Sequence, residues 1–579
     1  MGIPSLFRTV IEKYHDIHYW DANLQVDQLY LDYNCLIHYC KSKVNITSTM
    51  SLRDIEEELI AEVIKYTSYI VTQIVKPKKF VFIAIDGSVP MGKMVKQRQR
   101  RYKKVQDDVY KRKLKHRYNI ETKLEFDGNK ITPGTPFMSK LASRIKNFAM
   151  IGAFSKHIKN PTKQYKVFIS DANLPGEGEQ KIMQFIRNGS PKLNGESPSM
   201  VIYGLDADLI MLSMQLQKNV KLLREPQNTS VEIQSYSDSE FIYFDVDKCA
   251  DCLIKDFNLS HYDRKQIIDD IIFITFFGGN DFVEPFVHTK MRDNGLDKIL
   301  TAYTKGLPQH IMQDNILNID AFITFLINLG SIEDIAVKKL AVKAKGSGSM
   351  SRKPKGKLTP QQQYEFDVQL YEHSFYTETC NPFHTYYQSL YNLIDFKDLH
   401  INWKAQYNNY YFNSSVKSTI VMDDFVRCLS WTWKYYNQDN CPSWLWVFKH
   451  RNAPLCSDFL EYMQNLSETK FNDLWNSVDL DDSPLSPIEQ LIAVLPPQNA
   501  GLLPFAFQII MKDPELKLQH KFPPIVKLDV VKGLKNIYSE PILPDIDVQF
   551  INKMMYCIPV SEPELCRNIL RDKLFCFKI

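Results

Sequence analysis

Four short apolar runs in the first part of the chain share one layout. Residues 29–32, 80–86, 166–171 and 201–206 are rich in β-branched or aromatic side chains, and each run ends on an aspartate. Runs of this length and content predict buried strands. Between them lie stretches of helical character at 51–75, 93–117, 136–149 and 179–186. Strand and helix in alternation predict an α/β fold with a mainly parallel central sheet flanked by helices. Ligands of such sheets gather beyond the carboxyl ends of the strands. Acids at four consecutive strand ends are therefore expected to meet at one place.

Residues 344–357, AKGSGSMSRKPKGK, form a Gly-, Ser- and Lys-rich stretch that predicts a flexible basic linker. Its lysines leave a nuclear signal open. After it the chain changes character and becomes rich in aromatics, notably Trp431, Trp433, Trp444 and Trp446. The expected organisation is a core over 1–340, a linker over 341–359, and a second, mostly helical region over 360–579.

Composition narrows the class. At 44% hydrophobic and 24% charged residues, the chain has ample apolar surface for a packed interior. Its net charge of +4 is near balance, so the distribution of charge matters more than its sum. Eleven cysteines without a regular framework point to reduced thiols, and Cys249 and Cys252 form a CxxC with no second pair at zinc spacing. The opening MGIPSLF lacks the layout of a signal peptide, and Gly2 with Ser5 only loosely matches a myristoylation signal. No run of about 18 apolar residues predicts a membrane span. The expected setting is intracellular, cytoplasmic ahead of nuclear, with a viral source left open.

The acids form a pattern of their own. Asp32 and Asp86 stand at strand ends, Glu177 and Glu179 in PGEGE, Asp206 and Asp208 in YGLDADLI, and Asp281 in GGNDF. A single acid at such a position usually caps a helix. Seven of them, four in close pairs, would repel one another unless cations neutralise them. Magnesium takes oxygen ligands and keeps several waters, so a few converging carboxylates suffice to hold it.

Beside the acids runs a basic stretch. Residues 93–117 carry twelve Lys or Arg, and Lys93, Gln97, Arg100 and Arg101 fall at i, i+4, i+7 and i+8 on one helical face. Arginine forks and a lysine point charge suit a single terminal phosphate. His38 and Trp431, taken alone, read as core residues.

These blocks resemble the Xrn-type 5′→3′ exoribonucleases. The likeness runs through MGIPSLFR, LYLDYNCLIH, AIDGSVPMGKMVKQRQRR, ITPGTPFM, SDANLPGEGEQKIM, IYGLDADLIML and FFGGNDF. After the linker it resumes in CLSWTWKYYNQDNCPSWLWVFKHRNAP, SPIEQLIAVLPPQNAGLLP and EPILPDIDVQF. The resemblance implies a nuclease core of the PIN or flap-nuclease type, with both halves of the chain packed together. It implies that Asp32, Asp86, Glu177, Glu179, Asp206, Asp208 and Asp281 hold two Mg²⁺ ions, for which Mn²⁺ may substitute. It further implies that Lys93, Gln97, Arg100 and Arg101 grip a 5′-monophosphate, and that His38 and Trp431 sandwich the terminal bases. Gln180 replaces the family's usual histidine, and VEPF replaces its Leu-Pro-His-Leu type block after GGNDF.

The expected activity is processive, two-metal hydrolysis of single-stranded, 5′-monophosphorylated RNA to nucleoside 5′-monophosphates, by a monomer. No GxSxG elbow or Walker A loop offers another chemistry. Two other readings stand beside it: a flap-type DNA 5′-nuclease, and a catalytically dead RNA-binding scaffold.

Overall fold

The computed structural model describes residues 6–122, 124–158, 165–189, 198–204, 206–226, 240–306, 309–313, 315–346, 356, 358–372, 387–388, 403–412, 418–529 and 536–578. Most of the basic linker predicted at 344–357 lies outside them.

One eight-stranded sheet organises the chain. Its strands are β1 (His18–Tyr19), β2 (Gln28–Asp32), β3 (Phe80–Ala84), β4 (Lys166–Ser170), β5 (Met200–Tyr203), β6 (Val220–Arg224), β7 (Ile242–Asp245) and β8 (Phe575–Lys578). They lie in the order β1-β7-β6-β5-β2-β3-β4-β8. The five central strands are parallel, β7 and β8 run antiparallel to them, and β1 pairs antiparallel with β7 at one edge. Every residue of β2, β3 and β5 is buried. That explains why these segments read as continuous apolar runs, since both faces of a parallel sheet are covered. Alternate residues serve opposite faces: Tyr30, Phe82 and Ile202 enter one apolar cluster, and Leu31, Ile83 and Tyr203 the other.

Short connections carry the chain from strand ends into helices. After β2 comes α1 (Tyr33–Lys43), after β3 the long α2 (Met91–Arg117), after β4 α3 (Gly178–Arg187), and after β5 α4 (Asp208–Leu216). The helix predicted over 51–75 is α-helical from Leu52 to Tyr69 and widens to a π-turn over Ile70–Val75. Its start is fixed by a capping box between Ser51 and Asp54.

The second half of the chain covers one face of the sheet and the back of α2. Helix α5 (Ser418–Asn437) places Phe425, Leu429, Trp433 and Tyr436 in the same cluster as Phe273 and Phe277. Helix α6 (Pro487–Val494) packs Ile488 and Leu491 against Met91 and Met94 of α2. Its Gln490 Oε1 accepts from the Val89 backbone at 2.9 Å. The second half thereby holds the start of α2 at two points, because Met91 N also donates to Trp444 O at 2.8 Å.

Candidate active site

The loops that follow β2, β3, β4 and β5 meet above the carboxyl edge of the sheet. Parallel pairing in register sets this up, with Asp32 opposite Ala84 and Leu31 opposite Tyr203. Asp86 Oδ1 accepts from Gly178 N at 2.6 Å, and Asp86 exchanges two bonds with the Asn34 amide: Nδ2 to Oδ2 at 2.9 Å and Asp86 N to Oδ1 at 3.2 Å. Gly178 is required here. A Cβ at that position would stand 2.7 Å from Asp32 Oδ1 and 3.0 Å from Ala84 O. Gly87 is equally confined, since its Cβ would lie 1.7 Å from Leu174 O.

Glu177 immediately precedes α3, Glu179 lies in its first turn, and Asp208 lies in the first turn of α4. The positive ends of both helix dipoles therefore face the acids. Asp281 arrives from another direction. Gly279 takes a φ of +89°, and Asn280 Oδ1 accepts from Phe282 N at 2.8 Å and Val283 N at 2.7 Å, closing the turn that presents Asp281.

A cavity of about 590 Å³ opens over this edge. Asp32, Asp86, Glu177, Glu179 and Asp206 line it together with His38, Lys93, Gln97, Arg100 and Arg101. Asp208 is buried, 2% exposed, and Asp281 joins the lining residues through ion pairs. The basic and acidic groups interlock. Lys93 Nζ bridges Glu177 Oε2 and Asp281 Oδ2, the latter at 2.7 Å, and Arg100 pairs with Asp281 Oδ1 at 2.9 Å. Against the cost of burial, Lys93 and Arg100 hold the Asp281 carboxyl well below the usual range.

Other acids respond in the opposite sense. Burial, followed by the Asp86 and Asp206 charges, pushes Asp32 up to about 8. Burial and the charge of Asp281 push Asp208 up to about 7. Glu179 is raised as well, mainly by burial, and its Oε2 is buried with no hydrogen-bond partner. Such a group has lost its water without gaining a donor. Donor atoms of Asp32, Cys35 and Asp206 lie within 4.8 Å of one another. An oxygen-rich set under mutual repulsion, with an orphaned carboxylate oxygen, fits a divalent cation.

The basic helix is divided by face. Gln97 Oε1 and one Arg101 guanidinium nitrogen lack partners, and Arg101 also donates to Thr132 Oγ1 at 3.0 Å. On the opposite face Arg98 donates to the carbonyl of Lys521 at 2.5 Å, and Gln106 exchanges bonds with the Val526 backbone. Lys103 and Lys111 form ion pairs with Asp107 and Glu372, while Lys104, paired with Asp108, also lines the cavity. Only part of the basic run thus serves the cavity.

His38 lines the cavity with an exposed residue surface, and desolvation of its ring, followed by the Lys41 and Arg101 cations, lowers its imidazole pKa. The ring is neutral at physiological pH. Trp431 is not brought to the cavity. It is 2% exposed, stacks on Tyr435 at 4.8 Å, contacts Phe282 at 4.9 Å, and donates to Ser443 O at 3.0 Å. Tyr435 and Phe282 pack on its ring, and it is not among the residues that line the cavity with His38. Asp171, the fourth strand-end aspartate, also departs from expectation. It is 1% exposed and occupied by Lys146 and Arg571.

Several residues of the site were not singled out from sequence, among them Cys35, Lys41 and Lys104 of the cavity wall. Asn34 stands two positions after Asp32, a spacing that could have drawn notice. Tyr435, whose hydroxyl donates to Glu177 Oε1 at 3.0 Å, arrives from α5 with no local signal. Lys181, pushed down to about 7 by burial, donates to the carbonyls of Ile85 at 2.7 Å and Asp171 at 3.0 Å, tying together the ends of β3 and β4.

Comparison with known proteins follows the same lines. The chain is 27% identical to human 5′-3′ exoribonuclease 1 over 100% of its own length and 35% of that protein's. It is 26% identical to the Schizosaccharomyces pombe 5′-3′ exoribonuclease 1 over 94% of the chain and 48% of the relative. Against the Kluyveromyces lactis 5′-3′ exoribonuclease 2 it is 31% identical over 62% of the chain and 42% of the relative. The chain thus spans less than half the length of each of these three. Among solved structures, the catalytic core of Rad2 in complex with DNA substrate aligns over 82% of this chain and 100% of its own at 10% identity. Its TM-score of 0.29 is too low to bear on the chemistry. Among the described residues, no helix is long and apolar enough to cross a membrane. Residues 1–226 match the family model of the XRN 5′-3′ exonuclease N-terminus, and residues 261–381 and 396–577 match that of the Xrn1 helical domain. The chain belongs to the XRN 5′-3′ exonuclease family.

Proposed function

We propose that this chain is a magnesium-dependent 5′→3′ exoribonuclease that removes nucleoside 5′-monophosphates, one at a time and processively, from RNA bearing a 5′-monophosphate. One observation carries the reading: a single cavity is lined both by carboxylates and by Lys93, Gln97, Arg100 and Arg101. The domain division at about 340–360, cytoplasmic location and monomeric state belong to the same proposal.

The residues divide the work. Lys93, Gln97, Arg100 and Arg101 receive the terminal phosphate, which competes with Asp281 for the Arg100 guanidinium. Charge-assisted bonds of this kind are each worth about 1.5–3 kcal/mol. His38, neutral and open to the cavity, stacks on the terminal base. Asp32, Asp86, Glu177, Glu179, Asp206, Asp208 and Asp281 hold two Mg²⁺ ions, or Mn²⁺ in their place. Bound magnesium supplies an activated water and charge stabilisation at the leaving 3′ oxygen. Asn34 and Gly178 fix the carboxylate of Asp86, and Lys181 fixes the strand ends beneath it. Trp431 serves through Tyr435, holding the hydroxyl that meets Glu177. The distance from the phosphate grip to the acids then sets the length of the product.

The test is incubation with Mg²⁺ and RNAs that differ only at the 5′ end. Mononucleotide release from the monophosphate form alone supports the proposal. Oligonucleotide products would speak for an endonuclease, and binding without hydrolysis for a scaffold.

A further inference from the structure

Cys35 occupies the first turn of α1, three residues beyond Asp32, and its Sγ donates to Asp32 Oδ2 at 3.0 Å. It is one of the residues lining the cavity. Its sulfur and a carboxylate oxygen from each of Asp32 and Asp206 lie within 4.8 Å of one another. Donors around a tetrahedral zinc-class ion, with metal–oxygen near 2.0 Å and metal–sulfur near 2.3 Å, stand roughly 3.5 Å apart. The three groups are therefore within about an ångström of closing on one ion. A further observation points to a ligand at this place: Glu179, 6% exposed, lines the same cavity with an Oε2 that has no partner.

Sulfur changes which ion the site favours. Magnesium demands oxygen ligands in near-octahedral geometry and gains little from a thiol. Zinc-class cations accept mixed oxygen and sulfur sets and gain strongly from thiolate. We propose that Cys35 gives this site a sulfur ligand, so that Asp32, Cys35 and Asp206 bind a thiophilic divalent cation in competition with magnesium. The thiol proton passes to solvent as the sulfur–metal bond forms. The proposal rests on the reading of this cavity as a nuclease metal site. It adds a means of arrest, since an ion held by sulfur blocks Asp32 and Asp206.

Cadmium is the probe, because its bond to thiolate absorbs in the ultraviolet. The intact protein and Cys35→Ser are titrated with Cd²⁺, and the difference spectrum removes the contribution of the other cysteines. The expected result is a Cys35-dependent band reaching about one equivalent, displaced by excess Mg²⁺ and absent from Cys35→Ser. Asp206→Asn should bind Cd²⁺ at least about tenfold more weakly, in line with the 10–100-fold losses seen when even outer partners of a metal ligand are removed. Cys35→Ala, checked for folding by circular dichroism, should repeat the loss should the serine variant fold poorly. Equal bands in the intact protein and in a folded Cys35 variant would overturn the proposal. Mg²⁺-dependent RNA hydrolysis is measured separately. A Cys35-dependent band without hydrolysis would sink the proposed function and leave the cation site standing, whereas hydrolysis without the band would do the reverse.

Discussion

Replacing Gly178 with alanine inserts a methyl group where Asp32, Asp86 and the end of β3 converge. The new Cβ would stand 2.7 Å from Asp32 Oδ1, 3.0 Å from Ala84 O and 3.3 Å from Asp86 Oδ1, whereas ordinary contact begins near 3.4 Å. The Ala84 carbonyl belongs to a central strand and cannot yield far, so the carboxylates must retreat, Asp32 by about 0.7 Å. Misplacement of about 1 Å can cost roughly 100-fold in rate. Turnover should therefore fall roughly tenfold to 100-fold. Stability changes less: overpacking costs about 1–3 kcal/mol, and the glycine-to-alanine change returns about 0.4–1 kcal/mol by restricting the unfolded chain. Turnover on 5′-monophosphorylated RNA with Mg²⁺, read beside the urea midpoint, separates the two effects. Gly501→Ala is the control, because its Cβ would meet nothing within 4 Å. Normal turnover by Gly178→Ala, with an unchanged midpoint, would refute the convergence of Asp32 and Asp86 on this glycine.

Asp206→Ala and Asp208→Ala should each abolish hydrolysis, and Asp208→Ala should hold or gain stability, since it removes a carboxylate that burial and the Asp281 charge disfavour; near-normal turnover of folded protein by both would remove the metal assignment. Trp431→Ala should cost about 3–5 kcal/mol in a chemical denaturation series, as expected for a large buried aromatic. Tyr435→Phe, which deletes only the bond to Glu177, should lower turnover with a loss of stability near 1 kcal/mol. An effect of Trp431→Ala confined to activity, with unchanged stability, would contradict its burial.

The fold was legible where burial leaves a simple signature. The runs at 80–86 and 166–171 became β3 and β4 because both faces of the central sheet are covered, which removes polar alternation. The strand-end acids Asp32, Asp86 and Asp206 were legible for the same reason, since parallel order carries their loops to one edge. Asp171 was not separable from them by pattern, because its partners Lys146 and Arg571 come from distant segments. The basic run over 93–117 announced charge but not direction. Packing of α6 and the 520–526 segment consumes one face, and only the other reaches the cavity. Trp431 illustrates the same limit. Its burial follows from Phe282 and Tyr435, neighbours that no local spacing could supply.

The central claim joins the acids to the phosphate grip in one cavity, and matched kinetics at the 5′ end test that junction most directly. Wild-type protein and Arg100→Ala would be given one RNA with a 5′-monophosphate and the same RNA with a 5′-hydroxyl, in Mg²⁺, with products resolved by length. The expected result is rapid release of mononucleotides from the monophosphate form by the wild type, slow attack on the hydroxyl form, and a narrowed preference in Arg100→Ala. Equal wild-type rates on the two RNAs, or oligonucleotide products from either, would contradict the claim.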